Sequence, residues 1–196
     1  MEYPNAPLPT AMIPAAADPI FQHLLDTYAS ETNKTASVWQ ELHDDQLEFR
    51  PHEKSSTVRE ILVHQLLSER RFFAEFIGLV EPPASELLPS GSKPGVKAYL
   101  DRYIALARPR LEAMAGRDQA FWRTEVPFFD TSRERIWVFW RRVLHTGHHR
   151  AQVGFCLRLL EDRVPPTYGP TADVTWQGAD PTRTIDAAAR RSGPIA

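Results

Sequence analysis

The chain has 196 residues, of which 42% are hydrophobic, and its 23 lysines and arginines nearly balance its 25 aspartates and glutamates. This length and composition predict one domain with a sizeable core, and the absence of a strong positive field argues against a nucleic-acid partner. No stretch approaches the roughly 18 uninterrupted apolar residues of a membrane span and the N-terminus lacks a secretory pattern, so we expect a cytoplasmic protein without a membrane partner.

The first predicted elements are an arm and a helix. Residues 1–17 contain four prolines, which cannot sustain a regular ladder of backbone hydrogen bonds, so they predict an extended arm. From about Asp18 to Leu42, apolar residues recur at helical spacing, and Asp18 is placed to cap the first turn. A connector that contains Pro51 follows this first helix.

The second and third helices have clear start and stop signals. Thr57 and Glu60 have the spacing of a capping box, and Gly78 is placed to end the second helix. A loop rich in proline and glycine comes next, and a helical pattern resumes over 96–115. Pro109 lies inside this third helix and is expected to kink or shorten it, because proline removes a backbone donor.

The last part of the chain predicts a crossover and a long fourth helix. The aromatic stretch 117–130 is too irregular for a helix and predicts an ordered crossover. Thr131 and Glu134 have the spacing of a second capping box, which would open a helix that continues through Leu160. We therefore predict an all-α four-helix bundle over residues 18–162, with residues 163–196 as a C-terminal tail packed partly on it.

Three histidines predict a metal site. His145 and His149 are four residues apart in the fourth helix, so both imidazoles can face one point. His64 is the only other histidine inside a predicted helix near a long apolar stripe. Imidazole binds zinc, nickel and iron, whereas the single cysteine, Cys156, excludes a cysteine-based zinc site. Histidines at this spacing also occur as hydrogen-bonded core or surface residues, and His148 is expected beside the site or in solvent.

The polar surroundings of His64 on the helical wheel leave two arrangements open. The site is either a polar cleft at the edge of the core, or the opposite apolar stripe is buried by a partner subunit. The aromatic segment from Arg70 to Phe76 favours a subunit contact on the second helix.

The two histidine-bearing segments resemble the DinB family. The resemblance rests on the segment from Ser56 to His64, on the segment from His145 to Gln152, and on the Phe-Arg-Pro connector that ends at Pro51. It covers about residues 18–160 and implies an up-down-down-up four-helix bundle, frequently dimeric. It also implies a divalent metal held by three histidines, which map onto His64, His145 and His149. Ala151 stands where many members of the family have glycine.

A site with three nitrogen ligands keeps coordination positions open, which is typical of catalytic rather than structural metal sites. We therefore expect a metal-dependent enzyme acting on a small molecule. One possibility is a hydrolase, with Glu60 as proton shuttle unless its carboxylate only completes the capping box. The resemblance also allows a transferase that uses a low-molecular-weight thiol. A non-catalytic, stress-related metal-binding protein is the alternative, and a homodimer is expected in each case.

Other polar residues allow more than one interpretation. Gln152 is a candidate to hydrogen-bond a ligand imidazole, or simply a polar contact at the core edge. Cys156 is better explained as a small buried hydrophobe than as a nucleophile. Tyr168 and Trp176 could fold over the metal cleft. Five arginines could hold an anionic substrate, or else lie in solvent or pair with nearby glutamates; they are Arg70, Arg71, Arg141, Arg142 and Arg150.

Overall fold

A computed structural model describes residues 6–91, 93–169 and 171–173, and helices dominate this part of the chain. The α-helices are Gln22–Gln40 (α1), Val58–Arg71 (α2), Ala84–Leu87 (α3), Val96–Ala115 (α4), Gln119–Arg123 (α5) and Arg135–Leu159 (α6). The predicted helical class is therefore confirmed. None of the helices in the described ranges combines the length and the apolar character needed to cross a bilayer.

The predicted helix caps at Asp18 and Thr57 are both present. The Asp18 carboxylate accepts a hydrogen bond from the Ile20 amide at 3.1 Å, although it caps a short 3-10 turn, Pro19–Phe21, that leads into α1. At the start of α2, the Thr57 hydroxyl accepts from the Glu60 amide at 3.1 Å, and the Glu60 carboxylate accepts from the Thr57 amide at 2.7 Å. These bonds satisfy amides that have no partner within a first helical turn.

A π-helix, Phe72–Ile77, extends α2 where the sequence predicts a continuous α-helix. It ends at Gly78, whose φ of 81° is readily adopted by glycine. Within it, Phe72, Phe73 and Phe76 are buried in the chain's own core. The sequence suggested that this segment contacts another subunit. These three rings are instead packed within the chain itself and are not free to do so.

Helix α4 is not shortened by Pro109. It runs from Val96 to Ala115 without interruption, and Pro109 lies on its exposed side. On that side, the carbonyl that loses its backbone donor can still be hydrated, which limits the penalty of an internal proline.

The segment before α6 is a strand, where the sequence predicts the start of a helix. Thr131–Glu134 is a strand (β2) that pairs antiparallel with Glu125–Phe128 (β1), so the second capping box is wrong. Helix α6 starts only at Arg135, and the Glu134 side chain makes no capping hydrogen bond. The hairpin pairs the facing backbone edges of the two strands and buries Phe128, whose ring centroid lies 4.8 Å from that of Phe76. This pairing and burial outweigh one capping interaction.

The crossover ahead of this hairpin is ordered and contains α5, which the sequence did not predict. The Asp118 carboxylate caps α5 by accepting from the Phe121 amide at 2.9 Å, and Trp122 is fully buried. At the other end of the chain, the described part of the predicted arm packs on α1. There, Asn33 exchanges two hydrogen bonds with the backbone of Leu8, at 3.0 and 2.9 Å.

Candidate metal centre

Helices α2 and α6 bring together the three histidines that the sequence singled out. The Nε2 atom of His145 lies 3.2 Å from Nε2 of His64 and 3.2 Å from Nε2 of His149. One ring nitrogen from each histidine lies within 4.8 Å of the others, so a single ion could contact all three. His64 is exposed and the other two are half-buried, which places the cluster at the edge of the core, the first of the two arrangements left open by the sequence.

Buried polar contacts set the alignment of the two helices beside this cluster. Gln65, next to His64, donates a hydrogen bond at 3.4 Å to the carbonyl of Thr146, which is next to His145. The same amide accepts from the Trp39 indole N–H at 3.3 Å, so α1 holds it from the other side. Because Gln65 is buried, breaking either bond would leave an unpaired polar group in the interior. The two hydrogen bonds of Gln65 therefore fix the register of α2 and α6 that places His64 next to His145.

Gln152 orients the third imidazole. Its side-chain oxygen lies 2.7 Å from Nδ1 of His149, on the opposite side of the ring from the cluster. An amide oxygen can only accept, so this contact favours the tautomer in which Nδ1 carries the proton. The lone pair of Nε2 then points toward His145 and His64, as a metal-binding imidazole requires.

The surroundings also favour neutral imidazoles. Burial, together with electrostatic repulsion from the nearby rings of His149 and His64, lowers the pKa of His145 to about 4. Burial likewise lowers the pKa of His149, an effect that the hydrogen bond from Nδ1 of His149 to the Gln152 oxygen only partly offsets. At neutral pH both rings therefore have free lone pairs, which is the form that binds a metal.

A cleft of about 950 Å³ opens beside two of the three histidines. Its lining residues come from the connector before α2, from α2 and from α6, and none is acidic: Pro51, His52, Lys54, Ser55, Ser56, Ile61, His64, His148, His149, Ala151, Gln152, Phe155, Cys156 and Leu159. A volume of this size suits a small molecule.

The sequence profile of the DinB family matches residues 12–181, well over half of the chain. The chain belongs to the DinB family. Two solved structures share its fold: a DinB-like protein from Bacillus cereus (20% identity, TM-score 0.64) and the DinB-like protein YjoA from Bacillus subtilis (18% identity, TM-score 0.57). Each alignment covers 74% of this chain and 95% of the other. A comparison with curated protein sequences finds no match.

Two further candidates lie near the site of this DinB-family chain without joining it. Glu60 stays in the capping box, where its carboxylate also lies 3.4 Å from Arg50, and it does not line the cleft. Cys156 does line the cleft but is almost fully buried, and burial raises the pKa of its thiol. A thiol with a raised pKa holds less thiolate at neutral pH, which argues against a nucleophilic role. His148 is exposed on the rim, as expected.

An ion network lies in the helical interior, and the sequence analysis, which allowed Arg142 to pair with a nearby glutamate, did not predict that the pair is buried. Glu69 accepts from Arg110 at 2.6 Å and from Arg142 at 2.5 Å, and Arg110 also pairs with Glu81. Arg142 is therefore neither solvated nor available to a substrate. One signal could have revealed the network, because Glu69 shares the buried helical stripe of Leu66 and is spaced like a core residue.

Tyr168 of the C-terminal tail contacts a second buried ion pair, formed by Glu31 of α1 and Arg150 of α6. The Tyr168 hydroxyl donates to Glu31 at 2.6 Å and accepts from Arg150 at 2.7 Å. Arg150 in turn lies 2.8 Å from the Glu31 carboxylate. Tyr168 does not line the metal cleft, contrary to the suggestion from the sequence. Trp176, the other residue suggested for that role, lies outside the described residues.

Proposed function

We propose that this DinB-family protein is a divalent-metal-dependent enzyme that acts on a small molecule at His64, His145 and His149. The supporting observation is the convergence of three imidazole nitrogens within 4.8 Å at the mouth of an open cleft. The donor set fits zinc, nickel or iron, since the lowered pKa values favour neutral rings and Gln152 orients His149. A bound metal would supply Lewis-acid chemistry to a thiol or an oxygen of the small molecule.

A transferase that depends on a low-molecular-weight thiol is favoured here over a hydrolase. A hydrolase of this type would use a carboxylate to move a proton, and the residues lining the cleft include neither aspartate nor glutamate. Glu60, the carboxylate considered for this role, is bonded to the first turn of α2 and to Arg50. A thiol that binds a metal loses its proton more readily, so it depends less on such a base.

We infer that the four long helices form the up-down-down-up bundle implied by the family resemblance. The contacts between helices give their relative directions. Helices α1 and α6 run parallel, because later residues of one contact later residues of the other. Helix α2 is antiparallel to α6, and α4 is antiparallel to α1. The pairs that support this are Tyr28–Arg142 and Thr35–Arg150, Gln65–Thr146 and Glu69–Arg142, and Trp39–Tyr103 and Tyr28–Arg110. In such a bundle, sites form from side chains on facing helices, here α2 and α6.

A second copy of this chain is the proposed macromolecular partner. The hairpin tip and the start of α6 expose a patch formed by Phe129, Trp137, Trp140 and Leu144. Exposed apolar patches larger than a few hundred Å² mark interaction sites. The same hairpin exposes Asp130 and Arg133, so two copies related by a twofold axis could pair opposite charges.

The test of this dimer is light scattering after size exclusion. Wild type is expected at twice the chain mass and Leu144→Glu at the chain mass, because a charge in the patch opposes association. Val80→Glu is the matched control, since Val80 is almost fully exposed outside this patch. A monomeric wild type would contradict the dimer.

The test of the metal site is elemental analysis of tag-free protein reconstituted with zinc, nickel or iron. About one equivalent is expected in wild type and close to none in His64→Ala or His149→Ala. His148→Ala is the matched control, because His148 is on the same helix but outside the cluster. Equal metal in all four proteins, or none in wild type, would contradict the site. Loaded protein is then assayed for thiol transfer and for ester hydrolysis; a metal site without either activity favours the non-catalytic alternative.

A further inference from the structure

We infer that the cleft beside the three histidines binds an amphipathic anion, with its charged end at Lys54 and its apolar body against α6. This inference rests on the proposed function in that it treats the cleft as the approach to the metal site. It adds a chemical class for the small molecule: a carboxylate or similar anion attached to a hydrocarbon or aromatic body.

The charge of the cleft selects an anion. Lys54 is the one lysine or arginine among the residues that line it, and no lining residue carries a negative charge. Lys54 makes no ion pair within the described part of the chain, whereas Lys97 on α4 is paired with Asp101 at 2.5 Å. The hydroxyls of Ser55 and Ser56 lie on the same wall and can donate to the same anionic group.

The turn that carries Lys54 is held in place before any ligand binds. The Lys54 amide donates to Nδ1 of His52 at 3.1 Å, and the Ser55 amide donates to the carbonyl of His52 at 2.8 Å. From outside the turn, the Arg50 guanidinium donates to the carbonyl of Ser55 at 2.7 Å. A turn fixed by three such bonds loses little conformational entropy when it binds, which favours affinity.

The wall formed by the C-terminal end of α6 is apolar and open. Phe155 and Leu159 are one turn apart on α6 and line the cleft while remaining 60% and 47% exposed. Ile61 of α2 and Ala151 of α6 extend this surface toward the histidines. Two large apolar side chains left exposed inside a concave site gain burial only when an apolar group covers them. A wholly polar anion would leave this wall uncovered.

The inference is tested by titrating octanoate into the full-length protein, with binding followed by ligand-observed NMR. Octanol lacks the charge and acetate lacks the apolar body, so both should bind at least about threefold more weakly than octanoate. The titrations are made on metal-free and on zinc-loaded protein, because a carboxylate could instead bind the metal. Zinc content is measured on the same samples.

Two variants separate the two ends of the ligand. Lys54→Gln should weaken octanoate binding about threefold and leave octanol unchanged, as for the loss of an exposed ion pair. Phe155→Ser should weaken both ligands, by up to about tenfold, through lost apolar contact. Lys97→Gln is the matched control and should match wild type.

Equal binding of octanol and octanoate, or octanoate binding insensitive to either Lys54→Gln or Phe155→Ser, would overturn the inference. Octanoate binding found only with zinc and abolished by His64→Ala would also overturn it, since the anion would then sit on the metal. Octanoate binding as expected in protein that takes up no zinc would instead refute the proposed metal site and leave the cleft assignment standing.

Discussion

Glu69 is the buried carboxylate through which α2 meets two arginines. Its side chain is 3% exposed and accepts hydrogen bonds from Arg110 and Arg142. Arg110 also pairs with Glu81, so the network contains two carboxylates and two guanidinium groups and is neutral overall. Glu69→Gln removes one negative charge with almost no change in volume. The variant therefore leaves one positive charge uncompensated in the interior.

Removing one partner of a buried ion pair costs about 3–5 kcal/mol, because the remaining charge keeps its desolvation penalty. Glu81 still faces Arg110 in the variant, so the unpaired charge is mainly that of Arg142. The Nε and NH2 groups of Arg142 already make no hydrogen bond within the described residues, so the guanidinium keeps only its contacts with the rings of Tyr28, Phe73 and Phe139. We expect the free energy of unfolding to fall by about 3–5 kcal/mol and the Tm by roughly 6–20 °C for a chain of this size.

Urea unfolding followed by far-ultraviolet circular dichroism measures this change. Glu75→Gln is the matched control, because Glu75 also contacts two arginines but is 49% exposed. Solvent screens that pair of contacts, and its loss should cost less than about 1 kcal/mol. Equal losses in the two variants would refute the argument that burial makes Glu69 critical.

Three further changes test local features. Thr57→Ala should lower the free energy of unfolding by about 1 kcal/mol through loss of the cap; an unchanged urea midpoint would contradict this. Gly147→Ala should raise the free energy of unfolding by up to about 1 kcal/mol, because alanine is more favourable than glycine inside a helix. The added Cβ would lie 3.7 Å from Arg150 and 3.9 Å from Tyr168, which are ordinary contact distances. Burial raises the pKa of Tyr28 to about 12 from 10.0, so stability should fall as pH rises from about 10 to 12 while the unfolded phenol ionises. Urea midpoints across this range should fall less steeply in Tyr28→Phe, and an unchanged slope would exclude Tyr28 as a source.

The features that the sequence predicted correctly depend on spacing within one element. A hydroxyl and a carboxylate three residues apart define the capping box of Thr57 and Glu60, and two histidines four residues apart share a face of α6. Thr131 and Glu134 have the same capping spacing, yet they form a strand. Residues 131–134 pair instead with a separate segment, Glu125–Phe128. This pairing is stabilised by the burial of Phe128 against Phe72 of the π-helix. The spacing of Thr131 and Glu134 contains no information about that contact.

The burial of these ion pairs was missed for a related reason. An apolar stripe predicts which side of α2 faces the core, but a charged residue on that stripe is normally discounted, because a buried charge needs a partner. The partners of Glu69 come from α4 and α6, far away in the sequence. Only the assembled fold shows that Arg142 of α6 is an interior counter-ion of Glu69 rather than part of a solvated face.

These interior polar groups explain how an exposed histidine can be placed accurately. His64 is exposed, so burial in the core does little to fix the position of its side chain. The next residue, Gln65, is bonded to α6 beside His145, and Glu69 is bonded to α6 one turn further along. Apolar packing alone tolerates small shifts between helices, whereas a shift here would leave buried amide and carboxylate groups unpaired. We infer that the polar contacts hold α2 and α6 in the register that brings His64 to the other two histidines, so the geometry of the open site is determined by bonds in the closed interior.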